Sequence, residues 1–270
     1  MKQVKDINFV LTGQSHDLVP MDKVIYALRD VTATVKSIPL IASSIMSKKI
    51  ASGADKILID IKVGNGAFLS NKEEAKKLGD LMVRIGNIYG REVRYVISDM
   101  NTPLGYSVGN GLEVIEALDV LKGKETSNSF VDLCIDLSSE MVSMGLNISK
   151  DEARKLVVKS IEDKTAYNKF LELVSYQGGD INNISISNKK CIIKSNKTGE
   201  ITKINALEIG KLALELGAGK KNIKDKIDYG VGVRLNKLIG EKVKKGDTLA
   251  TLYVNNKVPN IDIDKIFTIC

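Results

Sequence analysis

Apolar positions change their spacing several times along this chain, and each change marks an element. In DINFVLTG (6–13), β-branched and aromatic residues crowd together and stop at Gly13, which predicts a short strand. The polar link QSHDLVP follows, and residues 21–53 read as helices. The proline of KSIPL interrupts that run and places Ile38-Pro39 at the start of a new helix. This helix is expected to run to about Ala51 and to close at Gly53 as its C′ residue. KILIDIKV is a buried strand that empties into a glycine-rich turn. SNKEEAKKLGDLMVRIGNIYG then sets Ala75, Leu78, Leu81, Met82, Ile85 and Tyr89 at helical spacing. REVRYVISDM is the next strand, NTPLGYSVGN its loop, and GLEVIEALDVLKG a helix ended by Gly123. Strand, helix, strand, helix with short links predicts βαβ units in a largely parallel sheet.

From residue 127 to about 178 the pattern stays helical. Ser149 and Glu152 form an S-x-x-E capping box, and Gly178-Gly179 stop the last helix. The character then changes. KKCIIKSNKTGEITKIN reads as a hairpin-like pair of strands around Lys197-Thr198-Gly199, and NALEIGKLALELGAG as a helix with Asn205 at N-cap and Glu208 at N3. GVRLNKLIGEKVKKGDTLATLYVN returns to strands around a Lys245-Gly246-Asp247 turn. The expected fold is α/β: a mixed, largely parallel sheet flanked by helices, a small helical segment and a C-terminal β-rich subdomain. The expected divisions are 1–20 (strand and hinge), 21–54 (helical segment), 55–185 (α/β with helical extension) and 186–270 (β-rich).

Composition narrows the function classes. A chain of 270 residues with 43% hydrophobic content can bury a core, and no apolar run reaches the ~18 residues of a membrane span. MKQVKDINFVLTG carries no apolar signal segment, so a cytoplasmic setting is expected. Cys134, Cys191 and Cys270 are widely spaced and odd in number, which argues against a disulfide framework or a zinc site; the single histidine, His16, excludes a His-rich cage. A net charge of +7 could serve a polyanion. The lysines are scattered, however, and aromatics are only 5%, so no stacking platform for nucleic acid forms.

Candidate chemistry concentrates in ALRDVTATVKSIPLIASSIMSKK (27–49). Ser44 and Lys48 lie four apart on one helix face, flanked by Ile41 and Ile45, which would suit a flat ligand with polar edges. The alternative is that Lys48 and Lys49 sit near a helix C-terminus, where the dipole favours cations. Arg29, between Tyr26 and Asp30, reads either as a surface salt bridge or as a donor fork for paired acceptors. Gly64-Asn65-Gly66 admits a close ligand or is simply a tight turn. Asp99 and Glu116 add carboxylates near the carboxyl ends of the strands, where open α/β sheets gather ligands. GEKVKKGDTLATL resembles the hairpins of biotinyl and lipoyl carriers, but it lacks their Met-Lys-Met turn and reads as a structural β-module.

YALRDVTATVKSIPLIASSIMSKKIASGADKILIDIKVGNGAF closely resembles the pyrimidine-nucleoside phosphorylase and thymidine phosphorylase family. The likeness continues through ISDMNTPLGYSVGNGLEVIEAL, YQGGDI, GEITKINALEIGKLALELGAG and IDYGVGVRLNKLIGEKVKKGDTLATLY. The resemblance implies cleavage of uridine, thymidine or deoxyuridine by inorganic phosphate, giving the free base and a pentose 1-phosphate, with no organic cofactor. It implies that Arg29, Ser44 and Lys48 hold the pyrimidine ring, with Arg29 and Lys48 stabilising the leaving base, and that Tyr26, Ile41, Ile45 and Phe68 line the ring faces. It also implies a potassium site made by the Leu104 and Ser107 carbonyls and the Glu116 carboxylate, a barrel-sandwich-like C-terminal subdomain and a homodimer.

The same resemblance sets an expectation of incompleteness. The family's Lys-His-Ser-x-Gly-Gly-x-Gly-Asp phosphate loop and its catalytic histidine have no match here, and His16 does not occupy that position. The chain is therefore expected to be a C-terminal portion, inactive alone, with an exposed apolar patch on the 21–53 helices. The competing expectations are a non-catalytic pyrimidine-binding or assembly fragment that needs a separate N-terminal partner, a phosphoribosyltransferase of similar architecture, and a polyanion-binding protein.

Overall fold

A computed structural model describes residues 2–13, 18–124, 128–222, 224–256 and 258–270. The helices are α1 (Lys2–Ile7), α2 (Pro20–Val31), α3 (Ile38–Ala51), α4 (Lys72–Ile88), α5 (Asn110–Leu121), α6 (Asn128–Leu146), α7 (Lys150–Glu162), α8 (Thr165–Tyr176), α9 (Ala206–Leu216) and α10 (Ile263–Ile266). The strands are β1 (Lys56–Val63), β2 (Glu92–Asp99), β3 (Ser107–Val108), β4 (Lys190–Lys194), β5 (Gly199–Ile204), β6 (Gly232–Leu235), β7 (Lys242–Val243), β8 (Thr248–Tyr253) and β9 (Phe267–Ile269). The chain forms two compact units, one of Val10–Asp99 with Asp136–Val157, the other of Met1–Phe9, Met100–Ile135 and Val158–Cys270.

In the first unit β1 and β2 pair in parallel from Lys56↔Glu92 to Val63↔Asp99, joined by α4. Alternation sends Ile57, Ile59, Ile61 and Val63 to one face, where they pack with Ala42 and Met46 of α3 and Ala75, Leu78 and Met82 of α4. The other face is polar at its edge. Lys56 Nζ donates to Asn147 Oδ1 at 2.7 Å and to the Met144 carbonyl, and Arg94 donates to Glu140 at 2.8 Å. The helix α2 is amphipathic in an unusual sense. Asp22 and Arg29, seven apart and so on one stripe, are buried, while Met21, Val24, Leu28 and Val31 are 54–80% exposed.

In the second unit a four-stranded antiparallel sheet (order β3-β6-β8-β4) and a three-stranded antiparallel sheet (β7-β5-β9) share one core with α9. Ile201, Ile204, Ile209, Val231, Val233, Leu249 and Leu252 are wholly buried there. The helix caps follow the sequence. Asn205 accepts the Glu208 amide at 3.4 Å, and Ser149 and Glu152, in the first unit, exchange hydrogen bonds reciprocally. No helix among the described residues is long and apolar enough to cross a membrane.

Three expectations need correction. The segment 6–13 is not a strand: Lys2–Ile7 is helical, and Asn8 leaves it in the left-handed region at φ 55°. A lone strand would leave its amides unpaired, whereas the helix pairs them internally and buries Ile7. KKCIIK and GEITKI are not a hairpin. β4 pairs with β8 and β5 with β7 and β9, because Ser195, which accepts the Lys197 amide and donates to its carbonyl, turns the chain into another sheet. Parallel pairing of strands is found only in β1–β2 among the described residues, apart from an isolated Val63↔Leu69 bridge, since the chain after β2 enters a loop and α5 instead of a third apolar strand. His16 lies outside the described residues.

Close packing of α4 on β2 depends on glycine. A Cβ at Gly86 would stand 2.1 Å from Val93 Cγ2 and 3.3 Å from the Arg91 carbonyl. Alanine gains ~1 kcal/mol of helix propensity, but overpacking costs ~1–3 kcal/mol. Gly86→Ala is expected to lower unfolding free energy in urea by about 1 kcal/mol, and Val93→Ala in the same chain is expected to cost less than the two single changes summed.

Candidate functional site

The site is built where α2 meets α3 within the first unit. Pro20 sits at the first position of α2, where its missing N–H costs nothing, and it follows Val19 in the left-handed region at φ 51°. The first turn therefore carries Asp22, an anion favoured by the helix dipole. α3 opens with Ile38-Pro39, which phases it so that Ala42 and Met46 face the core and Ser44 and Lys48 face the opposite way.

Lys48 Nζ donates to Ser44 Oγ at 2.9 Å and to Asp22 Oδ2 at 2.6 Å. Asp22 and Ser44 are each 8% exposed. Burial alone would push the Asp22 carboxyl up, but hydrogen bonds from Lys48 and Ser44 and the charges of Lys48 and Arg29 outweigh it and hold the group below its ordinary value. The helix dipole explains a cation near the end of α3, yet not this specific partnership. Lys49, its neighbour, is exposed.

Arg29 is buried, at 4% exposure, which corrects the reading of it as a surface ion pair. Its guanidinium donates to the Val35 carbonyl and, at 3.5 Å, to the Leu40 carbonyl, and it lies over the Tyr26 ring at 5.1 Å. Its Nε–H is buried without an acceptor. Tyr26 and Phe68 are exposed, whereas Ile41 and Ile45 are half-buried against the α/β core. Gly64-Asn65-Gly66 forms a tight turn in which the Ala67 amide donates to the Gly64 carbonyl at 3.1 Å. Asp99, at the end of β2, is exposed.

In the second unit Glu116 is buried and accepts the Tyr106 and Ser107 amides at 2.8 and 2.7 Å. The Leu104 carbonyl accepts the Ser129 hydroxyl at 2.7 Å. Sequence reasoning missed Asp22, whose only signal was an acid in a first turn after proline. It also missed the cluster at the end of β1 in which Lys62 donates to Ser98 at 3.0 Å and both donate to Asp60. Strand alternation places Asp60 and Lys62 on one face, and parallel register sets Ser98 beside Lys62.

A parallel β–α–β pair with a polar clamp on the preceding helices finds its counterpart in a known family. Residues 1–167 match the glycosyl transferase family, a/b domain, and the chain belongs to that family. Residues 200–266 match the pyrimidine nucleoside phosphorylase C-terminal domain. The chain is 46% identical over 264 residues to the pyrimidine-nucleoside phosphorylase of Staphylococcus epidermidis, covering 95% of this chain and 61% of that protein. It is 44% identical over 274 residues to the enzyme of that name from Bacillus subtilis, covering 99% of this chain and 63% of that one. The chain thus spans about 61–63% of the length of these curated relatives.

The depressed carboxyl of Asp22 has a stability consequence. Its contribution is present above the unfolded value and is lost as pH falls through the lower folded value. Asp22→Asn is therefore expected to destabilise the chain near neutrality, and the gap to the parent should close below the ordinary aspartate value of 3.8. Urea unfolding from pH 7 down to pH 3 reads that convergence.

Proposed function

We propose that this chain takes part in phosphorolysis of pyrimidine nucleosides and supplies the clamp that holds the base. The observation that carries the reading is the Lys48–Ser44 pair, braced by Asp22, in a chain with relatives named pyrimidine-nucleoside phosphorylases. Uracil and thymine present two carbonyl acceptors flanking one N–H. Lys48 and Arg29 supply cationic donors, and the unpaired Nε–H of Arg29 is one that a ring carbonyl would satisfy. Ser44 supplies a hydroxyl that both donates and accepts. Tyr26 and Phe68 offer exposed rings for the base faces, with Ile41 and Ile45 as apolar support.

The chemistry follows from where charge develops. Inorganic phosphate attacks the anomeric carbon, the glycosidic bond breaks, and the bonding pair leaves on the base. Cations at the rim of the base stabilise that growing negative charge more than they stabilise the neutral substrate, which lowers the barrier. No organic cofactor enters this scheme. In the same reading residues 21–54 are a segment of an α domain, 55–185 belong to the α/β domain and 186–270 form the C-terminal subdomain. The outward apolar residues of α2 support association with a second copy.

Calorimetric titration of the 270-residue chain with uracil tests the clamp. Lys48→Ala is expected to weaken binding by roughly tenfold or more. Unchanged uracil affinity in both Lys48→Ala and Arg29→Ala would refute the assignment.

The residues proposed for potassium fit a hard monovalent cation. Glu116 is a buried carboxylate with no ion-pair partner among the described residues, and Ser107 Oγ is buried without a hydrogen-bond partner. Leu104 and Ser107 carbonyls with the Glu116 carboxylate would hold the ion and fasten the 104–107 loop to α5. Thermal unfolding should rise in KCl over choline chloride at equal ionic strength, and Glu116→Gln should remove that difference.

A further inference from the structure

Asp22 stands apart from the other clamp residues: it lies 26 positions before Lys48, is bonded to it, and would not itself face the base. A first-turn acid at a helix N-terminus ordinarily stays solvated, where the dipole is its only partner. Asp22 is instead 8% exposed, and burial disfavours its charge, yet it remains ionised against Lys48 on the neighbouring helix. The contact that reaches across to α3 is the 2.6 Å ion pair with Lys48 Nζ, helped by the Ser44 hydroxyl and the charge of Arg29.

That contact has a geometric effect. An ammonium carries three N–H vectors in a tetrahedral array at the end of a flexible four-carbon stem. The bond to Ser44 Oγ alone would leave the group free to rotate about that axis. A second bond to Asp22 Oδ2 removes the rotation, and two fixed vectors determine the direction of the third. Lys48 is 26% exposed, so this third donor has access to a ligand.

We infer that Asp22 is the positioning residue of the base clamp, aligning Lys48 so that its free N–H meets a ring carbonyl. The inference rests on the base-clamp reading above and goes beyond it by giving a residue that does not touch the base a role in binding. Asp22 touches neither base nor phosphate in this scheme. It acts through Lys48, so its effect on the ligand should vanish when Lys48 is gone.

A double-mutant cycle in the 270-residue chain, with uracil as probe, tests this. Asp22→Ala is expected to weaken uracil about tenfold, Asp22→Asn, which keeps an acceptor oxygen, by less, and Asp22→Ala with Lys48→Ala no more than Lys48→Ala alone. Losses that add in the double variant would show a general structural role and overturn the inference. Lys48→Ala with parental affinity would instead sink the base-clamp reading. A ligand-free readout keeps the two apart: the Lys48 ammonium resonance in proton–nitrogen spectra should be protected from exchange in the parent and lost in Asp22→Asn. Retained protection would overturn the positioning role whatever uracil does. Should Asp22→Ala fail to fold, the cycle runs on Asp22→Asn, which is nearly isosteric.

Discussion

The helix α3 is gripped on two opposite sides, and the candidate site exists only because both grips hold. Ala42 and Met46 are wholly buried against the isoleucines of β1 and the leucine and methionine of α4. About 180° round the same helix, Ser44 and Lys48 are tied to Asp22 on α2. The first grip is non-directional burial, worth roughly 25 cal/mol per Å² of apolar surface. The second is directional, and it fixes the phase of α3 about its own axis. Apolar burial alone would tolerate a small roll of the helix; a 2.6 Å ion pair would not.

The dependence is sharper for α2, because its apolar side faces outward. Few apolar contacts hold it in place. Its inward stripe is Asp22 and Arg29, joined by hydrogen bonds to α3 and to Val35 in the connection before it. Such ties are weak as net stabilisers, since removing two charges from water offsets most of their attraction. They are strong as alignment devices, because breaking one leaves the partner buried and unpaired. A helix held this way is specified in orientation more firmly than it is stabilised.

Much of this was legible in the chain. Ile38-Pro39 and Gly53 bound α3, the i,i+4 spacing put Ser44 beside Lys48, and strand alternation gave the buried face of β1. What failed shares a cause. Pattern reading assumes that apolar residues point inward, so Arg29 looked like a surface residue when it belongs to an inward polar stripe. Asp22 was illegible because its partner is remote in sequence and no local period links them. The strand expected over 6–13 and the hairpin expected around 197–199 failed because β-propensity does not name a pairing partner; tertiary contact decides it. The likeness to the pyrimidine-nucleoside phosphorylases was carried by ordered motifs, not by spacing.

Two buried carboxylates show how differently the same problem is solved. Asp22 keeps its charge because a lysine and a serine hydroxyl surround it. Glu116 receives two backbone amides, so its dipolar partners are aligned, but none of them carries a full charge. An amide pair orients a carboxylate well and neutralises it poorly. The first arrangement is complete as it stands, and it can hand its lysine a fixed direction. The second aligns the carboxylate by backbone dipoles and offers no charged group to direct.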